Sequence, residues 1–118
     1  MLLAFAVLVS TERAAAAPNT WAAAASLANG RQQHVATLLS SGKVLVAAGR
    51  DTANRLDSAE LYDPMTNTSS PAGSLATGRY AHTGTALSNG KVLVAGGDGA
   101  AGNLDSAEIY DPAAPPLS

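Results

Sequence analysis

The stretch GRQQHVATLLSSGKVLVAAGRDTANRLDSAELYDP, residues 30–64, decides the fold, because it is written twice. Residues 78–112 read GRYAHTGTALSNGKVLVAGGDGAAGNLDSAEIYDP, offset by 48 positions without a gap. Aligned over residues 27–64 and 75–112, 24 of 38 positions are identical. A fixed period of roughly 20–50 residues signals a repeat architecture rather than a domain built once.

Each period divides into short extended pieces. Residues 34–39 and 82–87 carry Val, Thr and Leu and end at Ser41-Gly42 and Asn89-Gly90. Asn-Gly between apolar runs is a strong hairpin signal, since a type I′ turn needs positive φ at both central residues. The runs KVLVA, residues 43–47 and 91–95, are continuously apolar, as expected of strands buried on both faces. Polar loops lead to residues 58–62 and 106–110, and Asp-Pro closes each piece. Residues 20–27 and 68–75 supply a fourth piece ahead of each repeat. No helical period persists; the alanine run at 22–25 has neither cap nor apolar stripe. Four short strands per period describe an all-β chain of β-propeller blades.

The recurring residues resemble the kelch-repeat family, in the style of galactose-oxidase-like bacterial propellers. The resemblance rests on Arg31-x-x-His34 and Arg79-x-x-His82, on GKVLVAAG and GKVLVAGG, and on DSAELYDP and DSAEIYDP. Trp21 occupies the kelch tryptophan position. The resemblance covers residues 21–112 and implies two repeats within 18–118, about 21–68 and 69–118; residues 1–17 are read separately, as a signal peptide or disordered leader. The family's double glycine is Ala48-Gly49 in one repeat and Gly96-Gly97 in the other, and no tryptophan stands near Ser69. Recurring residues are expected to serve the architecture. Tyr62, Tyr110 and Trp21 are read as blade packing, and the Arg and His pairs as structural groups. Arg79 is expected to pair with Glu60 or Glu108.

Two blades are fewer than the about four to eight that propellers use. Labelled a to d from His34, the strands run d-a-b-c-d-a-b-c, which leaves the last blade short of its d strand. The prolines of DPAAPPLS are poorly suited to a central strand. The chain is therefore expected to be a fragment of a longer propeller, with a homo-oligomer that completes the ring as the alternative. Three copies exchanging d strands would give six blades.

Composition narrows the chemistry. The net charge is −2 with seven Lys and Arg, so no basic stripe supports a nucleic-acid partner. Cysteine is absent, which removes disulfides, thiolate ligands and cysteine nucleophiles together. It also departs from the copper site with a tyrosine–cysteine cross-link that likeness to galactose oxidase would imply. The two histidines are repeat equivalents with no independent ligand spacing, and the carboxylates form no acid/base pattern. Catalytic residues, metals and cofactors are all expected to be none. The reading is a non-enzymatic binding module; the alternative is the scaffold of a secreted galactose-oxidase-like or carbohydrate-active enzyme whose catalytic residues lie outside this chain.

Residues 2–9 form an apolar stretch of export-signal length, and Ala14 to Ala17 offer small cleavage residues, although no basic residue precedes them. The stretch is too short to span a bilayer. Secretion or cell-surface display is expected, with a cytoplasmic location and a disordered or strand-like leader as the alternatives. Asn67-Thr68-Ser69 fits an N-glycosylation acceptor.

Specificity is expected where the repeats differ, on the face that carries the d–a and b–c loops. That selects Gln32, Gln33, Arg50, Asp51, Asn54, Arg55, Tyr80, Asp98 and Asn103 for a protein or glycan ligand. Gly97-Asp98-Gly99-Ala100-Ala101-Gly102 spells the G-x-G-x-x-G of a dinucleotide site. A strand pattern follows it where a phosphate site needs a helix N-terminus. Its counterpart at 49–54 lacks the fingerprint, so the segment is read as a b–c loop.

Overall fold

The computed structural model of the protein describes residues 17–112; the leader's apolar run and the terminal prolines lie outside the described residues. All regular structure is extended. The first blade is one antiparallel sheet of β1 (Val35–Leu38), β2 (Val44–Ala47), β3 (Ser58–Asp63) and β4 (Thr68–Ser74), in that order. The second blade orders β5 (Thr83–Ala86), β6 (Val92–Ala95) and β9 (Ala107–Tyr110). Between β6 and β9 stands a small hairpin of β7 (Asp98–Gly99) and β8 (Gly102–Asn103). The repeat dictates the ladders: Val46 pairs with Glu60 as Val94 pairs with Glu108.

The core lies between the blades. Leu45, Ala47 and Ala59 of the first blade cluster with Val92 and Val94 of the second, flanked by Leu61, Leu75 and Tyr110. Side chains alternate across a strand. Leu45 and Ala47 therefore face the second blade, while Val92 and Val94, equivalent to Val44 and Val46, face the first. The double-sided apolar run KVLVA thus serves two neighbours. The inner strands touch directly at Gly84, where a Cβ would lie 2.8 Å from Val35 Cγ2 and 3.1 Å from Thr37 Oγ1. The far face of the second blade is open, and Ile109 is 60% exposed where its counterpart Leu61 is half-buried.

Two expectations need correction. Residues 20–27 form no strand, because among the described residues no third strand lies beside them to share a ladder. Trp21 does not pack in a blade; it is 100% exposed. Tyr110 does pack against the core, and the Tyr62 hydroxyl donates to Asn67 Oδ1 at 3.0 Å. The same oxygen accepts the Ala25 N–H, so the Asn67 side chain is built into the fold.

Candidate functional site

The loop face is assembled on a buried latch that each repeat makes in the same way. Arg31 Nη1 donates to the carbonyls of Ala48 and Ser58, and Nη2 to Ser58 Oγ and to Glu60 at 3.0 Å. Arg79 makes the equivalent bonds to Gly96, Ser106 and Glu108, the last at 3.1 Å. Both arginine side chains are fully buried. Each carboxylate also accepts two backbone N–H bonds, Glu60 from Ala28 and Asn29, Glu108 from Ala76 and Thr77. Burial pushes both carboxyls up, but these N–H donors and the arginines outweigh it and hold them below the usual range. Arg79 thus pairs with Glu108, while Glu60 belongs to Arg31. The latch fastens the segment entering each blade to the strand that ends its b–c loop.

Next to the latch, the chain must approach itself closely. A Cβ on Gly97 would sit 2.5 Å from the Tyr80 carbonyl oxygen and 2.9 Å from His82 Cβ, at φ +92°. Gly49 is confined in the same way by Gln32 and His34 at φ +96°. These glycines let each d–a segment lie against its b–c loop. Gln32 pairs with Arg50 across such a contact, and Tyr80 with Asp98. Ala48 departs from the double glycine yet adopts φ +58°, close to the +68° of Gly96.

Both b–c loops are tight hairpins. Arg50 pairs with Arg55 as Asp98 pairs with Asn103. Asp51 Oδ1 accepts the N–H groups of Ala53 and Asn54 and shapes the tip of the first. In the second, Gly99 is buried under Leu104, whose Cδ2 would lie 2.7 Å from an added Cβ. The glycines of 97–102 therefore serve a hairpin, with a strand and not a helix beyond it.

The structure brings together residues from both blades. The Tyr80 ring carries the Arg50 guanidinium at 4.8 Å from its centroid and that of Arg55 at 5.8 Å. Tyr80, Arg50, Asp51 and Asp98 are half-buried; Gln32, Gln33, Asn54, Arg55 and Asn103 are exposed. Gln33 lies at the seam, where its carbonyl accepts the Ala81 N–H. Asn54 serves the first hairpin tip, its carbonyl accepting the Asp51 N–H, and Asn103 holds the end of the second. The stack across the blade boundary was not legible from the chain alone, since Tyr80 and Arg50 occupy unrelated positions of the repeat.

Sequence reasoning also missed the histidines' difference. His82 is buried, and neither ring nitrogen closes a hydrogen bond, although the Ala47 carbonyl faces the ring. Its pKa is lowered by burial, a shift the Ala47 carbonyl opposes and the charges of Arg79 and His34 reinforce. His34 is exposed because no blade precedes it among the described residues. The same residues include no group of three or more His, Cys, Asp or Glu placed to hold a metal, and no helix long and apolar enough to cross a membrane.

Against known proteins, no curated protein matches the chain. Among models of known families, the Kelch motif matches residues 34–76 and again residues 79–114. The two matches cover more than half of the chain and coincide with the two blades, so the chain belongs to the kelch-repeat family.

Proposed function

We propose that this kelch scaffold binds a protein ligand through the loop face that joins its two blades, with no chemistry of its own. The observation that carries the reading is the Arg50–Tyr80–Arg55 stack. Two guanidiniums held against one ring lose little freedom on binding, Arg55 is exposed, and a guanidinium bonds its ligands through its N–H edges. Such edges match carboxylates bidentately. The ring and its flanking aliphatic stems add an apolar body, the combination that dominates protein interfaces. The preferred ligand is therefore an acidic peptide segment. Within this reading the chain is part of a larger exported propeller, in keeping with its apolar leader, which N-terminal sequencing of the secreted protein tests.

Selection from a peptide-display library, with acidic and neutral glycans assayed in parallel, tests the ligand class. Peptides rich in Asp and Glu whose affinity falls about tenfold or more in Arg50→Ala and Tyr80→Ala support it. Peptide ligands indifferent to both variants overturn it. Binding confined to glycans moves the same face to a different ligand class.

A further inference from the structure

The b–c hairpins and the segments beside them form two short rows on the loop face. Gln32 pairs with Arg50 and Arg50 with Arg55; one period on, Tyr80 pairs with Asp98 and Asp98 with Asn103. Opposed residues of paired strands share a face. The first blade therefore presents Gln32, Arg50 and Arg55 together, and the second Tyr80, Asp98 and Asn103. The backbone is the same in both: Gln32 and Arg50 exchange N–H bonds at 2.9 Å, and Tyr80 and Asp98 do so at 3.2 and 2.8 Å. The charge is not the same. Two equivalent positions carry two guanidiniums in one blade and a carboxylate and an amide in the other. We infer that the loop face reads the order of charges along an extended peptide. An Asp or Glu of the peptide seats on Arg50 and Arg55, and a Lys or Arg two to four residues away seats on Asp98. The acid rests on the proposed binding of acidic peptides at the stack; the cation is the new element.

The first row is short of negative charge. Bonds from the Asp51 N–H to the Asn54 carbonyl at 3.0 Å and from the Leu56 N–H to the Gly49 carbonyl at 2.8 Å flank Arg50 and Arg55. That makes the arginines a non-hydrogen-bonded pair, the arrangement that brings opposed side chains closest. Like charges directly opposite destabilise a sheet. Among the described residues the ion pairs are Arg31–Glu60, Arg79–Glu108 and Lys91–Asp111, so none takes up Arg50, Arg55 or Asp98. The neighbouring Asp51 is held by the N–H groups of Asn54 and Ala53, which lower its carboxyl pKa more than the Arg50 charge does.

Tyr80 belongs to the row of Asp98 and carries the arginines of the other row. Opposite charges therefore sit on one surface without pairing with each other. Such a surface favours a ligand whose charges run in the complementary order and disfavours one whose charges are all of one sign. The Arg50 guanidinium lies 4.8 Å from the ring centroid, and hydrogen-bonded partners such as Tyr80 and Asp98 have Cα atoms about 5.5 Å apart. The two charges are thus separated by roughly 10 Å, about three residues of extended chain.

Short Gly-Ser peptides carrying an Asp-Glu pair, with Lys or Gly placed two, three or four residues to either side, test this by fluorescence anisotropy against the full chain. Lys at one of these places should tighten binding about fivefold or more over Gly. Asp98→Asn, which keeps the shape of the side chain, should cut that gain to within about twofold. Asp98→Lys should reverse the preference, so that Glu in the place of Lys binds tighter. No gain from Lys, or a gain that survives both variants, overturns the cation site, while weaker binding in Arg50→Ala still upholds the acidic-peptide reading. Failure of every peptide to bind, or binding indifferent to Arg50→Ala, overturns that reading and the cation site with it.

Discussion

The Arg79 side chain, wholly buried, reaches the Glu108 carboxylate at 3.1 Å, and 48 residues earlier Arg31 reaches Glu60 at 3.0 Å. The pairs differ in their shelter: Glu60's side chain is 6% exposed and Glu108's is 26%. Removing one partner of a buried pair strands the other charge and its hydrogen-bonding neighbours. Arg31→Ala should therefore cost about 3 kcal/mol or more, and Arg79→Ala somewhat less because water reaches Glu108. Urea titration of both variants measures this. An unchanged midpoint for Arg79→Ala would show that the latch is incidental to stability.

Acid should weaken the fold in two stages. The folded His82 pKa lies below its ordinary 6.5, so the unfolded chain binds the proton first as pH falls. Stability is then lost from about 6.5 downward to the lowered folded value. Glu60 and Glu108 also have lowered folded values, so their contribution, present above about 4.5, disappears as pH falls through the folded pKa. Melting temperature should thus drop as pH falls below about 6.5, and again as it falls below about 4.5. His82→Asn should reduce the first stage to what His34, also lowered by burial and by Arg31, contributes, and leave the second. A first stage that persists undiminished in His82→Asn would assign it to another group.

The double glycines should respond unequally. Gly97→Ala combines φ +92° with overlap on the Tyr80 carbonyl and His82 Cβ, and should cost about 3 kcal/mol. Gly96→Ala has its nearest neighbour at 3.6 Å, and an alanine already stands at the equivalent Ala48. Its cost should be about 1 kcal/mol. Equal effects in denaturant titrations would contradict the close-approach explanation.

Contact between the blades should depend on Gly84. Gly84→Val places branched carbons where Val35 Cγ2 and Thr37 Oγ1 already crowd the strand. Overpacking of this kind costs about 1–3 kcal/mol. The cost should shrink when Val35→Ala is added, a coupling that a double-mutant cycle detects.

The Arg50–Tyr80 contact should be worth about 0.5–1 kcal/mol in such a cycle, the scale of cation–π contacts near a surface. Tyr80→Leu should therefore leave a folded chain, which makes it a fit variant for binding assays. A collapse of stability in Tyr80→Leu would assign the ring to the core instead.

Seven of the eight expected strands and the places of the hairpin turns were legible because apolar runs and Asn-Gly or Ser-Gly pairs write them locally; the turns are not type I′, since only Gly42 and Gly90, and not Ser41 and Asn89, take positive φ. The latch was half legible: Arg79 had two glutamates equally placed in the repeat, and only the fold separates them. Residues 20–27 misled because a strand is a property of a pair, and among the described residues the pattern stands without a neighbour. Trp21 misled for the same reason, since burial depends on what stands opposite. The Tyr80 stack was hidden by the comparison of equivalents, because its members come from different positions in adjacent blades.

The latch has a kinetic consequence. Arg31 and Glu60 are 29 residues apart in sequence, as are Arg79 and Glu108. Both separations are shorter than the 48-residue period. Each blade can therefore close its own buried pair from nearby chain alone, and the first can do so while the second is still being synthesised. Folding along a row of such self-contained units proceeds by local closure and propagation, which keeps loop-closure entropy low for an all-β chain.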